Sequence, residues 1–333
     1  SIFWSGIPTA LHPLRIRFSQ LDFRILQNEL PELNDWISWI ITGLHLFSRL
    51  YVVNCNGIFK TEDKLVDYHY AKEIFENYLD GYDRENDKVK LKIVHTYGVV
   101  AQSTEIARRM GLSEEDRELA RIIALLHDIG RFEQVRRFDS FMPDTMDHAS
   151  YGVEMLFGEA QDCPPHMIRQ FVEEDTWDDI IRAAIAKHSD FVLEGISDER
   201  TLLHAKIIRD ADKLDNCRVK LVDDFETFMD ATAEETGASV ISPKVRADAL
   251  SGRSILSADR QTPMDYWVSY LAYFYDLNFR ESLDIVAEKD YVRRLIHRIS
   301  YSDPETEATM EELERNIIAY VYTSRKDRTP QKN

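Results

Sequence analysis

The sequence predicts an all-α protein, and three observations carry that expectation. Apolar residues recur at spacings of three and four in one segment after another. Polar caps and glycines bracket several of these segments, and no stretch alternates apolar and polar residues in strand fashion for long. TEDKLVDYHYAKEIFENYL (61–79) opens with Thr61 in the N-cap position and with Glu62 and Asp63 in an acidic first turn. In KVKLKIVHTYGVVAQSTEIARRMG (88–111), Val94, Tyr97, Ala101 and Thr104 share a helical face and Gly111 stops the helix. Ser113 then caps SEEDRELARIIALLHDIG (113–130), with Asp116 where a capping box places an acid and an end near Gly130. Helical patterns continue through HASYGVEMLF (148–157), TWDDIIRAAIAKHSD (176–190), HAKIIRDADKLDNCRVKLVDDFETFM (204–229), MDYWVSYLAYFYDL (264–277) and TMEELERNIIAYVYT (309–323).

Composition divides the chain and limits its partners. Residues 1–60 differ from the rest in lower charge density and read as an N-terminal helical appendage with no assigned role. Residues 61–225 carry the chemistry, and residues 226–333, rich in Tyr and Phe, read as a C-terminal helical extension that covers the site or forms a homo-oligomer contact. A net charge of −18 weighs against a nucleic-acid polymer or an anionic membrane as partner. A small phosphorylated substrate is compatible with it, provided metal ions or local Arg and Lys invert the field at the site. The apolar run WISWIITGLHLFSRLYVV (36–53) contains His45 and Arg49, so no membrane span is expected. Cys55, Cys163 and Cys217 lack metal-type spacing and read as free thiols, which suggests the cytoplasm.

ALLHDIGRF (124–132) places His127 and Asp128 side by side at the end of an apolar run, where an ionised carboxylate needs a compensating charge. His95 lies on the preceding helix and Asp212 far downstream in RDADKLDN. Imidazole and carboxylate together suit divalent first-row metals, and helices can converge them on one ion. His148 in MDHASYG and His188 in IAKHSD extend the set. If both turn inward, the ligands suffice for two ions with Asp128 bridging, an arrangement that activates water and clamps the oxygens of a phosphate ester. Asp210, Asp212 and Asp215 are all candidates for the last carboxylate; periodicity alone puts Asp215 nearer the apolar stripe of Ile207, Ala211 and Leu214. Arg131, three residues after Asp128, and Lys187, beside His188, are candidate phosphate contacts. His12, His45, His69, His166, His204 and His297 read as ordinary core or surface residues.

In this order, His95, His127–Asp128, His148, His188 and Asp212, with LLHDIGRFEQ, DHASYG and DADKLD around them, the sequence resembles the HD-domain superfamily of metal-dependent phosphohydrolases over roughly residues 61–225. The resemblance implies an HD-domain helical bundle in which His95, His127, Asp128 and Asp212 hold one metal, while His148 and His188 either hold a second or contact substrate. It selects Asp212 over Asp215 through the ADKL element. It implies hydrolysis of a phosphomonoester or phosphodiester, commonly of a nucleotide. The ligand types suit one or two divalent ions without distinguishing Mn, Co, Ni, Mg, Fe or Zn. The candidate catalytic residues are Asp128, which holds or bridges the ions, with Arg131 and Lys187 to offset charge on the phosphoryl oxygens. Two rival functions use the same residues: a di-iron oxygenase of the same type, and a non-catalytic module that binds a nucleotide as a regulatory ligand.

Overall fold

The computed structural model describes residues 51–54, 57–60, 67–142, 144–158, 160 and 164–327. Two compact units divide the chain, Ser1–Lys64 and Leu65–Asn333. In the first, strands β1 (Tyr51–Asn54) and β2 (Gly57–Lys60) pair antiparallel, from Tyr51↔Lys60 to Asn54↔Gly57. This hairpin departs from the helical reading of residues 1–60. Its segments are rich in Val, Ile, Tyr and Phe, which favour strands, but are too short for an alternation to stand out. The greater part of the apolar run at 36–53, and Thr61, Cys55 and Cys163, lie outside the described residues. Among the described residues no helix is long and apolar enough to cross a membrane.

The second unit is all-α. It comprises α1 (Tyr68–Leu79), α2 (Asp87–Arg109), α3 (Glu114–Leu126), α4 (Ile129–Phe138), α5 (His148–Phe157), α6 (Ile168–Phe171), α7 (Asp178–Lys187) and α8 (Glu199–Val222). Short helices follow, α9 (Phe225–Met229), α10 (Ala233–Ala238), α11 (Pro243–Leu250), α12 (Pro263–Ala272), α13 (Arg280–Glu288) and α14 (Tyr291–Ile296), and then the long α15 (Pro304–Asp327). Local chemistry sets many of the boundaries. Ser113 Oγ accepts the Asp116 N–H at the start of α3, and Gly111, at φ +70°, takes the left-handed conformation just after α2.

The expected stop near Gly130 is corrected. The chain breaks at His127–Asp128, and Gly130 lies in the first turn of α4. Its lack of a side chain serves a close approach instead, because a Cβ there would overlap the His148 carbonyl at the start of α5. That contact brings the elements carrying Asp128 and His148 together.

Helix α8 packs against α2, α3 and α7 on one side and against α13 and α14 on the other. It is therefore buried around much of its circumference, with Ile207, Ile208, Ala211 and Leu214 joined in burial by Arg209, Asp210, Lys213 and Asp215. Asp210 ties the C-terminal helices to it by accepting the backbone N–H groups of Asn278 and Phe279, the Asn278 amide and the Ser282 hydroxyl at 2.6–3.0 Å.

Candidate metal centre

Five helices deliver the ligand-type side chains, mostly at their ends, where backbone direction can change. His95 lies within α2 and Asp212 within α8, while His127 ends α3, His148 begins α5 and His188 ends α7. Asp128 occupies the break itself at φ −106°, ψ 19°, outside helical geometry. An unbroken helix would hold two adjacent side chains about 100° apart; the break lets His127 Nε2 come to 3.5 Å from Asp128 Oδ2.

Asp128 is the hub. Its Oδ2 faces His127 Nε2 and, at 3.8 Å, His95 Nε2, while its Oδ1 faces His148 Nε2 at 3.3 Å and His188 Nε2 at 3.6 Å. Asp212 Oδ1 lies beside the first group, 3.0 Å from His95 Nε2 and 3.9 Å from His127 Nε2. Two ligand groups therefore share one carboxylate: His95, His127 and Asp128, and Asp128, His148 and His188.

The far nitrogens are anchored. His95 Nδ1 meets Asp215 Oδ2 at 2.8 Å, His127 Nδ1 the carbonyl of Ala124 at 2.7 Å, and His188 Nδ1 the carbonyl of Ile185 at 2.7 Å. A carbonyl only accepts, so His127 and His188 each carry a proton on Nδ1; His127 turns its Nε2 lone pair to the centre, while His188 Nε2 lies in hydrogen-bond contact with His148 Nε2 at 3.1 Å. His127 is fully buried and its Nε2 has no hydrogen-bond partner. A lone pair left unsatisfied inside a protein is costly, and a cation answers it directly. The residues present thus fit a divalent metal, with the outer hydrogen bonds that orient histidine ligands already in place.

Ionisation agrees. Burial pushes the His127 imidazole down to about 4, and burial with the Arg131 charge holds His148 well below its ordinary value, so both are neutral near pH 7. Burial opposes ionisation of Asp128, but Lys92 and the surrounding imidazoles outweigh it and hold the carboxyl well below the usual range. Burial is likewise outweighed at Asp212 by its hydrogen bond to His95, and that carboxyl is also lowered. At His95, burial and Lys92 act downward, yet Asp212 and Asp215 prevail and raise it.

A cavity of about 800 Å³ opens onto this cluster. Arg131 lines it, with Nε 3.7 Å from Asp128 Oδ1 and its Nη1 donating to Gln134 and to the Phe141 carbonyl. Lys187 is corrected: it does not line the cavity, and its 41 % exposed side chain pairs with Asp190 at 2.8 Å. The last residue of α7 turns its long side chain outward, while the next residue, His188, turns inward. Lys92, one turn before His95 and passed over in the sequence, takes the cationic position instead, with Nζ 2.6 Å from Asp128 Oδ2. The spacing of three from His95 was the signal for it.

The three acids of RDADKLDN separate by position. Asp212, 24 % exposed at its side chain, faces the cavity; Asp215, fully buried, orients His95 and pairs with Arg218; Asp210 anchors the C-terminal helices. No sequence motif marks Arg209. It donates to the carbonyls of Lys187 and Asp190 and to the Asp276 carboxylate, tying the end of α7 to the cavity wall.

All six clustered side chains fall within residues 93–217, the segment that matches the family model described as HD domain. No curated protein and no solved structure matches the chain. The family match agrees with the helical bundle: residues 93–217 carry an HD domain.

Proposed function

We propose that the protein is a metal-dependent phosphohydrolase that cleaves a phosphomonoester or phosphodiester bond of a nucleotide or another small phosphorylated metabolite. The observation that carries this reading is the division of Asp128, one carboxylate oxygen facing each of two imidazole pairs. His95, His127, Asp128 and Asp212 would hold one ion, and Asp128, His148 and His188 a second. Metal bound there supplies a Lewis acid and an activated water. The chain's own part is electrostatic and positional: Asp215 and the Ala124 and Ile185 carbonyls fix the imidazoles, and Asp128 is kept ionised by Lys92. Lys92 and Arg131 stand where positive charge would offset the charge gathering on phosphoryl oxygens. These cations give a protein of net charge −18 a local field suited to a phosphate.

The test is a phosphate-release screen over nucleotides and sugar phosphates with Mn²⁺, Co²⁺, Ni²⁺, Mg²⁺ and Fe²⁺ added in turn. Turnover abolished by chelator and by Asp128→Ala is expected. Iron with a mixed-valent signal and no phosphate release would replace this reading with oxygenase chemistry. Nucleotide binding without turnover under any metal would replace it with a regulatory module.

A further inference from the structure

Two turns beyond Asp212 on α8 stands Lys220, outside the segment matched by the family model. The residue is only 5 % exposed and lines the same cavity as the ligand cluster. Among the described residues its ammonium makes no hydrogen bond or ion pair. It stands instead 4.3 Å from the ring centroid of Phe228 and 4.3 Å from that of Tyr270. Lysines that are merely structural and this deeply buried have a carboxylate partner; an unpaired buried charge is otherwise expensive. Two aromatic faces return part of that cost and leave the ammonium with unused donors.

The groups around Lys220 explain why no described residue supplies the missing anion. The Lys92 charge, held on Asp128, acts on it from α2, Phe228 and Tyr270 flank it from α9 and α12, and Asp212, Cys217 and Asp223 act on it from its own helix and just beyond. Burial and then Lys92 bring the amine down to about 7, with Asp212 and Asp223 opposing only from a distance. Asp212 is already engaged with His95, and Asp223 lies 3.7 Å from Arg218. An eight-residue separation spans about 12 Å along a helix, and helical side chains lean toward the N-terminus, here toward the ligand cluster. The ammonium therefore stands apart from the cluster but within the span of a single small molecule.

We propose that Lys220 receives a second anionic group of the substrate, a phosphate or a carboxylate that is not the one hydrolysed, with Phe228 and Tyr270 walling the same subsite. The substrate is then doubly anionic, its two charged groups separated by a linker of about the size of a pentose. The proposal rests on the reading of the cluster as the place where the scissile phosphate is held.

Binding tests it without turnover, because carbon–phosphorus bonds resist this hydrolysis. Mn²⁺-loaded protein is titrated calorimetrically with α,ω-alkane bisphosphonates of three to six carbons, with ω-phosphonocarboxylates of the same lengths, and with the matching alkyl monophosphonates. We expect at least tenfold tighter binding of a doubly anionic probe over its monoanionic match at one or more lengths, and loss of that ratio in Lys220→Met. The bisphosphonate and carboxylate arms tell which anion is preferred. Lys220→Gln, with circular dichroism to verify folding, repeats the measurement if the Met variant folds poorly. Equal affinity at every length, or a ratio that survives both substitutions, overturns the proposal. Failure of the phosphate-release screen with the ratio intact would count against the hydrolase reading alone.

Discussion

Lys220 makes a strong claim about stability, since an unpartnered buried amine works against folding. Its folded value of about 7 lies below the ordinary 10.5, so between those limits the unfolded chain binds more protons than the folded one. The sign follows: the penalty is fully present below pH 7 and fades as pH rises through 10.5. At about 1.4 kcal/mol per pH unit, the interval corresponds to an upper bound of about 5 kcal/mol. Lys220→Met keeps the unbranched stem against Phe228 and Tyr270 and removes the charge. We expect it to gain at least about 1 kcal/mol at pH 7, or about 2 °C or more in melting temperature for a unit of this size. Urea denaturation of both proteins from pH 6 to pH 10.5 is the assay, because groups common to both cancel in the difference. The gain should be largest at and below pH 7 and shrink toward zero at the alkaline end. A Met variant less stable than the parent at pH 7, or a difference that ignores pH, would refute the reasoning.

Asp215→Asn keeps a hydrogen bond to His95 but loses the carboxylate that orients it, and metal affinity should fall by roughly 10- to 100-fold in a calorimetric titration with Mn²⁺. Unchanged affinity would show that Asp215 is only a partner of Arg218. Gly98→Ala should produce a similar loss from a different cause, since its Cβ would overlap the Asp215 carboxylate across the α2–α8 contact. Asp210→Ala strands the N–H groups of Asn278 and Phe279 and the Ser282 hydroxyl; we expect a loss of about 3 kcal/mol or more and faster proteolysis near residues 276–282. A variant melting with the parent would sink that account. Metal content should be close to two ions per chain and fall in His148→Ala; if His148→Ala and His188→Ala each leave it untouched, these imidazoles are substrate contacts.

Residue chemistry and local periodicity were legible without coordinates. The helical class, the Ser113 cap, the Gly111 stop and the order of His95, His127–Asp128, His148, His188 and Asp212 all follow from the side chains themselves and their spacing within short segments. What depends on neighbours was not. Periodicity ranked Asp215 above Asp212 because it assumes one inward face, whereas α8 is packed on both sides and uses Asp210, Asp212 and Asp215 for three separate purposes. Adjacency to His188 suggested Lys187, yet the chain turns between the two residues and Lys92, remote in sequence, occupies the place beside Asp128. Gly130 looked like a helix stop, and only the approach of α5 shows that its missing side chain makes room for a carbonyl. No motif around Lys220 distinguishes it from a solvated lysine; Phe228 and Tyr270, from helices later in the chain, set it apart. Sequence by itself settled which groups are present and the helical class of the second unit, because both depend on contacts a few residues apart; which groups share a cavity depended on helices meeting from distant parts of the chain, and only the tertiary structure decided that.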